Sequence, residues 1–256
     1  MKKFLVGGLA AAALAVPAVA LAQAPPAPEV SAGGSVSNSN AGTPRNPTPV
    51  TFNFRAVNSA ESYSTVDTIT LTLPKGVRLD GSNLPTCTPT VANGGPTKCR
   101  RGSKLGDGVA YASLIADKTK PAPQCAQTRG QAEGCITFDL QFFTGGKRLL
   151  SVWLESRALQ IQKPLTGQIS KDARTLRIQI PRDLQFTFLY TALQQLSGQW
   201  RGPTRTIRGR KYSFVTTTGC PRGRVWSTLT TFTYSANPEP PLVRRKSAEV
   251  RQRCRP

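Results

Sequence analysis

Downstream of Val50 the bulky apolar residues recur at every second position in short runs, and that period constrains the fold more than any other feature. Phe52, Phe54 and Ala56 alternate with Thr51, Asn53 and Arg55. Ile69, Leu71 and Leu73 alternate with threonines, and Ile136, Phe138, Leu140 and Phe142 with Thr137, Asp139 and Gln141. Leu150, Val152 and Leu154 follow the turn Thr144-Gly145-Gly146; Leu176, Ile178 and Ile180 follow the turn at Lys171-Asp172. Trp226, Thr228, Thr230, Phe232 and Tyr234 fall on one face of a late run. A period of two places alternate side chains on opposite faces of a strand, and Thr, Val and aromatic residues suit a half-buried pleated surface. A helix is expected only over Thr191–Ser197, where Ala192, Leu193 and Leu196 share a face and Gly198 could end it. The expected fold is all-β: an antiparallel β-sandwich, immunoglobulin-like in the broad sense. A β-barrel or two stacked small sheets would show the same periodicity.

The N-terminus reads as an export signal. Lys2 and Lys3 precede an apolar stretch from Phe4 to Ala22, followed by small-x-small sites, of which cleavage after Ala22 is preferred because a cut after Ala24 would leave Pro25 at the scissile bond. The competing reading is an uncleaved anchor, but the run is near the lower length limit for a span and Pro17 interrupts it. No cysteine lies near the cut for lipid modification, and no later segment is apolar enough to span a bilayer. The expected organisation is a signal peptide over 1–22, a flexible Pro/Ala/Ser-rich tether over 23–49 and a sandwich domain over 50–256. The tether has almost no bulky apolar residue to offset chain entropy. The protein is expected to be secreted or associated with the cell envelope.

The six cysteines are Cys87, Cys99, Cys125, Cys135, Cys220 and Cys254. Behind an export signal an even count reads as disulfides. Fifteen pairings are possible and sequence alone does not choose among them. Nearest-neighbour pairing is the expectation adopted here: Cys87–Cys99, Cys125–Cys135 and Cys220–Cys254. With no histidine and no CxxC spacing, a metal site is not expected, and no cofactor is implied.

The segment Leu73-Pro74-Lys75-Gly76, Leu84-Pro85-Thr86-Cys87 and Cys99-Arg100-Arg101-Gly102-Ser103-Lys104-Leu105-Gly106-Asp107-Gly108 resembles a pattern in uncharacterised exported proteins of actinobacteria. The later Cys220-Pro221, Trp226, Thr231-Phe232-Thr233-Tyr234 and Cys254 are similar to the terminal unit of the same proteins. Two departures are visible: Arg100 follows Cys99 where those proteins usually have proline, and Ser235-Ala236 follows Tyr234 where they often have Asp-Gly. The resemblance implies a β-sandwich and supports the Cys87–Cys99 and Cys220–Cys254 pairs. It implies no function.

Without histidine, Ser-His-Asp and Cys-His catalysis are excluded, and there is no GxSxG elbow, SxxK, aspartic-protease motif or phosphate-binding loop. A glycosidase-type carboxylate pair remains, with Asp139 and Glu155 as candidates on neighbouring strands. Both fall on the polar face, where solvated carboxylates are ordinary. The chain is therefore expected not to be an enzyme.

Charge is the other strong signal. The chain has 34 Lys and Arg against 13 Asp and Glu, a net +21 that becomes +19 when Lys2 and Lys3 are lost with the signal. Residues 201–256 hold 13 basic and 2 acidic side chains. Arg201, Arg205, Arg208, Arg210 and Lys211 form one basic run; Arg244, Arg245 and Lys246 begin another. Such a field attracts polyanions and fades with salt. Outside a cell the anions available are wall polymers and lipid headgroups, and nucleic acid is not the expected partner. The expected function is a non-catalytic exported protein held to anionic envelope or extracellular polymers by this basic surface. A carbohydrate-binding sandwich module is the alternative, and a carboxylate-based glycosidase a distant third.

Overall fold

The computed structural model describes residues 30–38, 40–58, 65–117, 122–184, 190–236 and 243–256. The expected signal peptide and the first residues of the expected tether lie outside them. The described strands are β1 (Val30–Val36), β2 (Thr48–Pro49), β3 (Phe52–Asn58), β4 (Val66–Thr72), β5 (Val77–Leu79), β6 (Lys104–Ile115), β7 (Cys135–Gly146), β8 (Leu149–Ser156), β9 (Ile161–Ile169), β10 (Thr175–Gln179), β11 (Tyr190–Trp200), β12 (Arg205–Ile207), β13 (Arg210–Tyr212), β14 (Val215–Thr217), β15 (Val225–Tyr234) and β16 (Arg245–Arg253). Among the described residues, α-helix is confined to one turn, α1 (Pro89–Ala92).

Eleven strands form one antiparallel sheet in the order β1-β3-β11-β6-β7-β8-β9-β10-β4-β15-β16. The sheet folds over so that the β3/β11 side faces the β4/β15 side, as layers of a sandwich. Ala56 packs in one cluster with Val66, Ile69, Phe232 and Tyr234, and the Tyr234 hydroxyl donates to Asn58 Oδ1 at 3.1 Å. The two edge strands thereby meet, giving the sandwich a barrel-like closure. Because eleven strands alternate in direction, the first and last run the same way. The seam between β1 and β16 is bridged mainly by one side chain: Gln252 Oε1 accepts from Val36 N–H at 2.7 Å and Gln252 Nε2 donates to Val36 O at 2.9 Å. Just beyond, Ala41 N–H donates to Arg255 O at 2.8 Å.

One end of the rolled sheet is closed. Trp200 stands among Phe52, Phe54, Phe142 and Phe214, with ring centroids 4.8 to 6.2 Å from its own and edge-to-face geometry to Phe142 and Phe214. Each such pair adds about 0.5–1.5 kcal/mol beyond its buried area. Gly198 and Gly108 make room for this plug, since a Cβ on either would stand 2.8 Å from the Phe142 ring. The three-stranded sheet β2-β14-β5 lies over the same end.

All three nearest-neighbour disulfides are formed. Cys87–Cys99 staples the α1 loop onto the outer face of β7 and β8, where it buries Phe143 and Trp153. Ser151 Oγ donates to Cys87 O at 2.6 Å to hold it there. This explains how Trp153 is buried although it is out of phase with Val152 and Leu154. Cys125–Cys135 closes a loop that satisfies the buried Gln194, whose amide donates to Pro123 O at 2.6 Å and accepts from Ala126 N–H at 3.2 Å. Cys220–Cys254 ties the end of β16 to the segment before β15.

Two sequence expectations are corrected. Thr191–Ser197 is not a helix; it lies inside β11, paired with β3 and β6. The ladder shifts register between Leu193 and Gln195, so the inward face passes from Leu193 to Leu196. A β-bulge thus produces a spacing of three that imitates a helical repeat. The tether reading also fails over Val30–Val36, which pairs with β3 along its whole length. That strand is held by its backbone ladder, and its small side chains permit close approach: a Cβ on Gly34 would lie 3.3 Å from Phe52 and from Thr228.

Candidate functional site

The closed end carries the basic surface. β11 reaches it at Trp200, where the N–H groups of Arg201 and Gly202 both donate to Leu105 O, at 2.8 and 3.0 Å. The chain then projects as the hairpin β12–β13, turning through Arg208 and Gly209, both at positive φ (49° and 75°). Positive φ at both central residues is the two-residue hairpin geometry that matches strand twist. Four cations stand on this hairpin, Arg205, Arg208, Arg210 and Lys211, and all are exposed. Arg210 lies 5.6 Å from the Tyr212 ring centroid, close enough for a cation–π contact. Arg205 reaches across to Asn83 O at 3.5 Å.

Between the hairpin and the loop after β5 is a polar depression of about 100 Å³ lined by Arg78, Asp80, Asn83, Arg210, Lys211 and Tyr212. Asp80 Oδ1 is engaged by the Ser82 N–H and hydroxyl, at 2.9 and 2.6 Å. Ion pairs among the described residues fall elsewhere, at Lys104–Asp107, Lys163–Asp183 and Arg251–Glu249, so Arg78, Arg210 and Lys211 have no ion-pair partner there. Three cations without ion-pair partners outnumber the one carboxylate, Asp80, around the same concavity, and the net positive potential suits an anion.

No family model, curated protein or solved structure matches the chain.

The structure brings only part of the expected anion-binding set together. Arg201, Arg205, Arg208, Arg210 and Lys211 share the closed end. Arg244, Arg245 and Lys246 do not: they lie where β16 begins, and β16 runs from Arg245, opposite Thr233, to Arg253, opposite Val225. Eight residues of strand separate the two ends of β16, about 27 Å at roughly 3.4 Å per residue. The same pairing puts Arg253 and Arg255 at the closed end, beside Arg222 and Arg224. Arg78 belongs to the site although nothing in its local sequence marks it, because only the β14–β5 pairing brings it near the hairpin.

Asp139 and Glu155 are directly opposite one another on β7 and β8. They stand on the outer face, Asp139 exposed and Glu155 accepting from Gln162 Nε2 at 3.3 Å, while Phe138, Leu140 and Leu154 point inward. Among the described residues no group of three His, Cys, Asp or Glu side chains could hold a metal ion, and no helix is long and apolar enough to cross a membrane.

The second concavity is internal. Nine of the eleven strands line it, with Ala110, Ala112, Leu140, Val152, Leu165 and Ile178 typical of its wall. It begins at the Trp200 plug and continues to Thr65, Leu184 and Thr191 at the opposite end. About 110 Å³ is open to the centres of water-sized molecules, roughly seven to eleven times what one water requires on that measure.

Proposed function

We propose that this is an exported, non-catalytic binding protein that attaches to anionic polymers or headgroups of a cell envelope through its closed end. The observation that carries the reading is the convergence of Arg78, Arg210 and Lys211 on one depression, none of them in an ion pair among the described residues. Around it stand further exposed arginines, so attraction acts at long range and in contact. Each basic group near an anionic surface contributes roughly 1 kcal/mol at physiological salt. Three disulfides are compatible with an oxidising, extracellular setting. A carbohydrate platform of exposed indoles finds no support, because Trp153, Trp200 and Trp226 are all buried. A glycosidase finds none either, since Asp139 and Glu155 face out from a strand pair and line neither concavity.

The test is elution of the mature protein from immobilised polyphosphate and its sedimentation with phosphatidylglycerol vesicles. Wild type is expected to release with salt and not with free sugar. The R78A/R210A/K211A variant should release at distinctly lower salt, whereas R244A/R245A/K246A, with the same charge change, should shift it less. Equal shifts from the two triples, or release that requires sugar, would overturn the reading.

A further inference from the structure

We propose that the interior of the rolled sheet is a binding site for a single unbranched hydrocarbon chain, as carried by a fatty acid or fatty alcohol. Eight strands are just enough for side chains to fill a closed sheet, and wider ones leave internal space. Here eleven strands are rolled together, and several inward positions are small: Ala56, Ala110, Ala112 and Thr230 all line the void. The sequence thus leaves space where larger residues would have filled it.

The chemistry of the wall selects the ligand. Aliphatic and aromatic side chains from opposite sides of the sheet make up most of the wall, with Arg55, Thr65, Thr191 and Thr230 as the polar residues on it, and a polar group placed along its middle would lose its water without gaining partners. Apolar cavities of this kind stay dry and take up apolar molecules. The shape narrows the choice further. Along β11 it is lined from Thr191 to Trp200, about 30 Å of strand at roughly 3.4 Å per residue. Spreading 110 Å³ over that length leaves a mean cross-section of about 4 Å² for the centres of water-sized spheres. Adding a radius of about 1.4 Å on each side makes a slot roughly 5 Å across. One extended chain fits that slot, and two side by side do not.

Two polar atoms on the wall have no hydrogen-bond partner among the described residues, and they stand at opposite ends: the Trp200 indole N–H and Thr191 Oγ1. The aromatic plug closes the Trp200 end. The chain's methyl end therefore points toward Trp200, and its carboxyl or hydroxyl head lies toward Thr191. This site is separate from the cationic depression and would stand if that reading failed.

The experiment is binding of cis-parinaric acid to the delipidated mature protein in 0.5 M salt, followed by displacement with palmitate, with the uncharged cetyl alcohol and with phosphatidylglycerol vesicles. Saturable one-to-one binding is expected, with competition by palmitate and by cetyl alcohol. Ala112→Phe, which fills the slot, should weaken binding at least tenfold without lowering the melting temperature, and the R78A/R210A/K211A variant should bind as wild type does. Ala110→Leu serves as an independent filling variant if Ala112→Phe does not fold. Absence of saturable binding, unchanged affinity in a folded filling variant, or displacement by the diacyl lipid and not by the single-chain competitors would overturn the proposal. Loss of binding with salt or in the arginine variant would assign it to the basic surface instead, and would overturn it equally.

Discussion

Replacing Cys220 and Cys254 together by alanine removes the covalent tie between the end of β16 and the segment that leads into β15. The two residues are 34 positions apart, against 12 for Cys87–Cys99 and 10 for Cys125–Cys135. Loop-closure entropy then assigns about 4 kcal/mol to the Cys220–Cys254 bridge at 25 °C and about 3 kcal/mol to each of the others. For a domain whose total stability is on the order of 5–15 kcal/mol, that difference is measurable. The structure adds a local consequence. β16 has a full backbone ladder only on its β15 side; toward β1 it has the Gln252–Val36 pair, with the Ala41–Arg255 bond beyond its end. Without the bridge, β16 should open from its Arg253 end at a free energy well below global unfolding. Guanidinium unfolding of the three double-alanine variants gives the global ranking, and amide exchange over 245–253 gives the local opening. If the Cys220/Cys254 variant loses no more stability than the other two, or if β16 keeps wild-type protection, the bridge does not hold the Arg253 end of β16 in place.

Three further outcomes follow from particular contacts. Gln252→Ala leaves both polar groups of Val36 without their partner and should cost about 1–3 kcal/mol, read as a shift in the urea midpoint; exposing the edges of β1 and β16 should also promote self-association, visible by light scattering. Gly198→Ala places a methyl 2.8 Å from both Phe54 and Phe142, and a loss of about 1–3 kcal/mol from overpacking is expected in the same measurement. Burial raises the Tyr234 phenol above its ordinary value. The folded state thus favours the protonated phenol, a stabilisation fully present below about pH 10 and lost as pH rises through the folded-state pKa. Tyr234→Phe should accordingly flatten the decline in stability above pH 10, and an unchanged alkaline profile would refute the assignment.

Much of the architecture was legible because most strands carry one dry face. The runs at Phe52, Ile69, Ile136, Leu150, Leu176 and Trp226 are all strands with those residues turned inward, since a period of two is a local property of an extended chain between layers. The errors came where burial and period part company. β1 carries bulky apolar residues only at its two ends, Val30 and Val36, with Ser-Ala-Gly-Gly-Ser between them, so its composition read as tether. In β11 a bulge broke the period between Leu193 and Leu196, and the result looked helical. Trp153 lay out of phase with its strand because a stapled loop covers the outer face.

The candidate sites divide in the same way. The excess of arginine toward the C-terminal third was plain from composition, but its distribution was not. Arg244, Arg245 and Lys246 look like part of one basic tail in sequence, and an antiparallel hairpin sends them about 27 Å from Arg253. Arg78 joins Arg210 and Lys211 only through pairing between β5 and β14. The internal slot was invisible, because an inward alanine reads the same whether its neighbours fill the space or leave it open. What the chain alone determined is an all-β protein with cysteines spaced for local staples and a large positive charge, since alternation, composition and short loop closure are properties of neighbouring residues. Which cations converge, where the sheet closes, and that its interior is hollow were decided only by long-range strand order, because each depends on side chains meeting from distant parts of the chain.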